Sequence, residues 1–223
     1  MTNATGFIFD MDGTLVDNMP YHVRSWQQLL AELGVKMTRQ EIENRNRGIL
    51  PEVIRNMLGD QLSETEVAAI GERKEELYRK IYCPHLQLLA GCQAFLDQSY
   101  LLHVPMAVAT MANRVNVAFV LDGLGIRDLF RIVIGEEDVR EGKPSPEAFL
   151  LAAQGLQLPP ENCIVFEDSL SGVEAAQRAG MKVVFLSTSL SASNLNANPP
   201  ILQITDDYEK LRPENLLLVN FAS

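Results

Sequence analysis

Short apolar runs alternate with segments of helical length over much of this chain. Gly6–Phe9, Pro105–Ala109, Arg131–Ile134, Cys163–Phe166 and Val183–Leu186 are rich in β-branched or aromatic residues and too short for buried helices. Between the later runs, apolar residues recur at helical spacing over Ala90–Ser99, Val115–Leu124, Pro146–Leu156 and Ser171–Ala179. Gly125 and Gly180 follow two of these segments as C-terminal stops. The alternation predicts an α/β core built on a parallel sheet.

The interval from Met19 to Cys83 breaks this rhythm, because it contains helical patterns and no good strand. Tyr21–Leu33 places Val23, Trp26, Leu29, Leu30 and Leu33 on one face before Gly34. Pro51 opens a second pattern through Leu58, and Glu64–Ile81 forms a longer, charged one. The pattern predicts an inserted all-helical cap over residues 18–85, with the core formed by 1–17 and 86–223. Its crossings, near Val16–Met19 and Tyr82–Leu88, are the expected hinges. Ser187–Pro200 is expected as a surface loop and Leu216–Val219 as a last strand.

A hydrophobic content of 47% over 223 residues supports a substantial core rather than a disordered chain. No apolar stretch reaches the roughly 18 residues that span a bilayer, and Met1–Thr5 lacks the basic start and apolar core of a secretory signal. A net charge of −10 disfavours nonspecific contact with nucleic acid or anionic lipid, so an anionic substrate must be met by local cations. Cys83, Cys92 and Cys163 form no Cys-x-x-Cys pair, which fits reduced thiols in a cytoplasmic protein, Cys163 as core.

Candidate chemistry clusters at the ends of the predicted strands. Phe7–Phe9 runs into Asp10-Met11-Asp12-Gly13, which aims two carboxylates off a strand end and then reverses the chain. An acidic turn is the plainer reading of Asp-x-Asp by itself. An EF-hand loop is excluded, because Gly13 falls at its fourth position rather than its sixth. Thr110 ends a second strand, as a helix cap or a phosphate donor, and Asn113 offers a further donor with the same two readings. Lys143 lies in Gly142-Lys143-Pro144-Ser145-Pro146, a rigid frame that suits a fixed cation. Glu167-Asp168 ends a further strand, as a helix cap or a second acidic edge. Because Mg²⁺ prefers hard oxygen ligands, Asp10, the Asp12 carbonyl and Asp168 would suit it as a protein shell, with Glu167 acting directly or through water.

Taken together, Asp10-Met-Asp12-Gly-Thr-Leu-Val, Ala-Thr110, Gly-Lys143-Pro-x-Pro and Phe-Glu167-Asp168-Ser-x-x-Gly resemble the motifs of the haloacid dehalogenase superfamily, in family order. The resemblance implies a Rossmann-like parallel sheet core with an inserted helical cap, and Asp10 as nucleophile. Asp12 resembles the acid of the family's phosphatases and phosphomutases, which implies phosphoryl transfer. Asp10 would form an aspartyl phosphate, Asp12 would serve as acid and base, and Lys143, Thr110 and Asn113 would meet phosphate oxygens.

Whether water or a sugar hydroxyl resolves that intermediate separates a phosphatase from a mutase. Tyr21-His22-Val23-Arg24-Ser25-Trp26 resembles the first cap helix of the β-phosphoglucomutase-like subfamily. Arg47-Gly48 matches part of the mutase cap, but Pro51 stands where the mutases carry a phosphate-gripping Arg. His22, Arg47 and Arg55 are therefore cap candidates for substrate contact. The sequence favours a Mg²⁺-dependent phosphatase of a small phosphorylated metabolite such as a sugar phosphate. A β-phosphoglucomutase-type enzyme is the alternative, and a non-catalytic binding protein a remote one. Neither nucleic acid nor membrane is an expected partner, and a monomer is expected.

Overall fold

A computed structural model describes residues 5–46, 48–189 and 201–218. The chain divides into two compact units, Met1–Asp17 with Gln87–Ser223, and Asn18–Leu86. In the first unit β1 (Gly6–Phe9) precedes the insertion. After it come α5 (Cys92–Leu101), β2 (Met106–Ala109), α6 (Arg114–Leu121), β3 (Ile132–Ile134), α7 (Glu147–Leu156), β4 (Cys163–Glu167), α8 (Leu170–Arg178), β5 (Lys182–Leu186), β6 (Ile201–Thr205) and α9 (Pro213–Leu217). The insertion contains α1 (Met19–Glu32), α2 (Arg39–Arg45), α3 (Leu50–Leu58) and α4 (Glu64–Tyr82).

All six described strands are parallel, in the order β3-β2-β1-β4-β5-β6. Side chains alternate across a strand, so β1 feeds two cores. Ile8 joins Ala107, Val165, Phe149 and Ala152 under α7 and α8. Phe7 and Phe9 point the other way into an aromatic cluster with Phe95 and Phe166, in which Phe9 stacks on Phe166 at 4.4 Å. Each of these fully buried rings contributes about 1.5–3 kcal/mol in removing apolar surface from water. The register pairs Phe9 with Val108 on one side and Phe166 on the other, so β1, β2 and β4 end side by side.

In the helical unit, Val23, Trp26, Leu29 and Leu30 of α1 pack with Ile42, Val53, Ile54 and Leu77. Capping boxes start α2 at Thr38/Glu41 and α4 at Ser63/Glu66, satisfying amides that have no intrahelical acceptor. Leu33 was expected on the buried face but is exposed, because α1 stops before it and Leu33 occupies the C-cap.

The expected strand at Leu216–Val219 is not formed: Leu216 and Leu217 lie in α9, which Pro213 opens, and Val219 is outside the described residues. The sixth strand is Ile201–Thr205 instead. Its exposed and partly buried positions at a sheet edge are a weak signal beside the strands buried on both faces. Of the expected loop Ser187–Pro200, residues 187–189 form a turn and 190–200 lie outside the described residues. Among the described residues no helix is long and apolar enough to cross a membrane.

Candidate active site

Asp10 follows β1, Thr110 follows β2, and Glu167-Asp168 ends β4, which brings three of the sequence motifs to one carboxyl edge. The chain reverses immediately after Asp10. Gly13 N–H donates to Val16 O at 2.8 Å, Leu15 N–H donates to Met11 O at 2.9 Å, and Gly13 sits at φ +83°. A side chain there is excluded twice, by the left-handed backbone and by space: a Cβ would lie 2.0 Å from Asp168 Oδ2.

Lys143 reaches this edge from the loop before α7. Its Nζ donates to Asp10 Oδ1 at 2.6 Å and to Glu167 Oε1 at 2.7 Å, and it lies 4.8 Å from the Phe149 ring centre. Glu167 is more constrained still, since its Oε2 accepts from the Asp168 and Ser169 amides at 2.5 and 2.6 Å. Glu167 thus holds the lysine in place.

The carboxylates of Asp10, Glu167 and Asp168 are all buried and offer oxygens within 4.8 Å of one another. Burial raises Asp10 to about 7, with Glu167 and Asp12 pushing in the same direction against the opposing pull of Lys143. Burial and the same neighbours, Glu167 and Asp10, raise Asp168 well above the carboxylate range. Burial alone would lower Lys143, but Asp10 and Glu167 outweigh it and raise the ammonium above its ordinary value. Three buried carboxylates facing one ammonium leave the site short of positive charge. A hard divalent cation with oxygen ligands fits both that deficit and the donor set.

Two helix caps differ from the simplest sequence reading. Thr110 Oγ1 accepts from the Ala112 amide at 3.1 Å, whereas the cap of α6 is Asn113, whose Oδ1 accepts from Asn116 N at 2.9 Å. Ser169, not Asp168, caps α8 by accepting from Gly172 N at 3.1 Å. Asp168 is therefore available at the acidic edge, while the Asn113 oxygen is committed to its helix.

Within the helical unit, His22 is buried and stacks on Tyr78 at 3.8 Å. Its Nδ1 lies 2.7 Å from Lys74 Nζ, which also donates to Glu75 Oε1 at 2.7 Å. Burial, reinforced by Lys74, holds His22 well below its ordinary pKa, so the ring is neutral. Arg55 is tied to Leu62 O at 2.9 Å and Glu64 Oε1 at 2.5 Å. Arg47 lies outside the described residues.

Sequence reasoning missed Lys74 and Glu75, which look like surface charges on a polar helix until α4 packs against α1. It also missed Tyr208, whose buried hydroxyl donates to Thr14 O at 3.2 Å while its ring packs on Phe95 and Phe166. Nothing local marks a tyrosine 194 residues from its acceptor.

The chain is similar to known proteins. The model of the family described as haloacid dehalogenase-like hydrolase matches residues 7–186. A fructose-1-phosphate phosphatase of Escherichia coli strain K12 is 31% identical over 179 residues, covering 80% of this chain and 94% of its own. Hexitol phosphatase A of the same strain is 30% identical over 193 residues, covering 86% and 87%. The crystal structure of a β-phosphoglucomutase from Clostridium difficile superposes with a TM-score of 0.83 at 26% identity, over 96% of this chain and 95% of that one.

Proposed function

The chain belongs to the haloacid dehalogenase-like hydrolase family, and on that premise we propose that it is a Mg²⁺-dependent phosphatase of small phosphorylated metabolites, sugar phosphates foremost. The observation that carries the proposal is the buried Asp10 carboxylate, held 2.6 Å from Lys143 Nζ at the edge where Glu167 and Asp168 emerge.

Asp10 attacks phosphorus and becomes an aspartyl phosphate, dividing one difficult displacement into two easier ones. Lys143, fixed by Glu167, neutralises oxygens of the transferred group. Because Thr110 Oγ1 accepts from Ala112 N, its own O–H proton is the one to offer a phosphoryl oxygen. Asp12, two residues along the same turn, protonates the leaving oxygen as its bond to phosphorus breaks, then takes a proton from the water whose oxygen attacks the aspartyl phosphate and releases inorganic phosphate and free Asp10. Asp10, Asp168 and the Asp12 carbonyl would hold Mg²⁺, with Glu167 outside the ligand shell because its oxygens already serve Lys143 and two amides. Bound there, Mg²⁺ would offset the repulsion between carboxylate and phosphate dianion.

The phosphatase reading rests on relatives at 30–31% identity that are phosphatases of phosphorylated fructose and hexitols. Against the mutase stands Pro51, where a phosphate-gripping Arg is required, with nearby Arg55 engaged by Glu64. Residues 18–85 are the proposed helical cap, and His22 and Arg47 are its proposed candidates for substrate recognition. Three free cysteines support a reducing, cytoplasmic setting, and the acidic charge supports a monomer.

The test offers fructose 1-phosphate, hexitol phosphates and β-glucose 1-phosphate, the last with a trace of glucose 1,6-bisphosphate, with and without Mg²⁺. Inorganic phosphate and glucose 6-phosphate are assayed together. Phosphate release that needs Mg²⁺ and disappears in Asp10→Asn is expected. Glucose 6-phosphate forming faster than phosphate would replace the phosphatase with a mutase, and wild-type turnover by Asp10→Asn would overturn the nucleophile.

A further inference from the structure

The turn that follows β5 carries three consecutive hydroxyls, each bonded to a different part of the first unit. Ser187 N–H donates to Thr205 O at 2.9 Å, and its Oγ lies 3.3 Å from the same oxygen and in contact with Asp206 Oδ1, which ties the turn to the end of β6. Thr188 Oγ1 donates to Gly13 O at 2.5 Å. Ser189 Oγ donates to Asp168 Oδ2. The same three pieces converge at one point independently of these bonds, because a Cβ on Gly13 would lie 2.0 Å from Asp168 Oδ2 and 2.9 Å from Ser189 Oγ.

We propose that Ser189 is a positioning residue of the reaction centre: its hydroxyl fixes the Asp168 carboxylate so that Oδ1 faces a divalent cation, with Thr188 holding Ser189 at that distance from the Asp12–Gly13 turn. This rests on the metal-dependent reading above. Asp168 needs such a partner because its neighbours Glu167 and Asp10 repel its charge, and Lys143 donates to those two and not to it. A hydroxyl is suited to the task. It supplies a directional donor to one oxygen without a charge that would compete with the cation for the other. Ser189 is itself exposed, so packing gives no reason for this contact. No local motif announces it either: 21 residues separate Ser189 from Asp168, and the parallel pairing of β4 with β5 brings their ends together.

The test titrates the full chain with Mn²⁺, a probe of the same hard-oxygen site, and follows free Mn²⁺ by electron paramagnetic resonance without substrate. Ser189→Ala is expected to weaken Mn²⁺ binding by about 10–100-fold, the usual cost of losing a group that orients a ligand. Ser189→Thr, which keeps the hydroxyl, is expected to return it to within about threefold. The metal-free melting temperature should barely change. Should the alanine variant fold poorly, Ser189→Cys keeps the size while weakening the donor, and is read against Ser189→Thr in the same way. Wild-type Mn²⁺ binding with Ser189→Ala within twofold of it would overturn the role of Ser189 alone. A wild-type chain that binds no Mn²⁺ would overturn the metal reading and this inference with it.

Discussion

Replacing Gly172 by alanine sets helix propensity directly against the active site. Gly172 is the third residue of α8, where alanine would ordinarily stabilise by about 0.5–1 kcal/mol through the entropy of the unfolded chain. Here the new Cβ would lie 1.7 Å from Glu167 Oε1, 2.0 Å from Cδ and 2.5 Å from Cγ. Overlap with Cγ means that a small rotation of the carboxylate cannot relieve it, so Glu167 must leave its place. Moving it breaks at least two of its three bonds, those from Lys143 and from the Asp168 and Ser169 amides. Hydrogen bonds to a charged group contribute about 1.5–3 kcal/mol each. Losing two of the three costs about 3–6 kcal/mol, and subtracting about 1 kcal/mol of propensity leaves about 2–5 kcal/mol. For a chain of this length that is a fall of roughly 4–20 °C in melting temperature. Circular dichroism melts of the metal-free protein measure it, together with the Glu167→Ala background, in which the overlap is gone and Gly172→Ala should be neutral or stabilising. A melting temperature at or above wild type, or an equal cost in both backgrounds, would refute the reasoning.

The acidic edge also predicts a pH dependence of opposite sign to that of an ordinary ion-paired carboxylate. Asp10 is raised from 3.8 to about 7, so between those values the folded metal-free chain holds a proton that the unfolded chain has lost. Its contribution to stability is fully present below about 4 and declines as pH rises through about 7. Mg²⁺ binds the ionised form, so the melting-temperature increase on adding Mg²⁺ should be larger at pH 8 than at pH 6. An increase that is larger at pH 6 would contradict this. Tyr208→Phe keeps the ring stack on Phe166 but leaves Thr14 O without that donor, and should cost about 1–2 kcal/mol in urea denaturation and lower kcat. Unchanged midpoint and kcat would show that the bond does not hold the catalytic turn.

Local sequence settled more of the fold than of the site. Apolar runs at Phe7–Phe9, Met106–Ala109 and Cys163–Phe166 announce strands buried on both faces, because such strands need no polar alternation. The motif residues at their ends already carried Asp10, Thr110, Glu167 and Asp168, since parallel strands deliver their C-terminal residues to one edge. What local pattern could not carry was pairing over distance. Lys143 was legible as a fixed cation, but its two carboxylate partners lie 133 and 24 residues away and only the assembled sheet identifies them. Cap assignments were ambiguous for the same reason, because Asn113 and Ser169 compete with Thr110 and Asp168 within a few residues of chain and only the helix geometry decides. Lys74, Ser189 and Tyr208 carried no local signal at all. The sequence by itself determined the strand and helix periodicity and the chemistry stored in its motifs, which are properties of neighbours along the chain. The tertiary structure decided which carboxylate each donor meets and which charges are buried, because contact and desolvation depend on residues far apart in sequence.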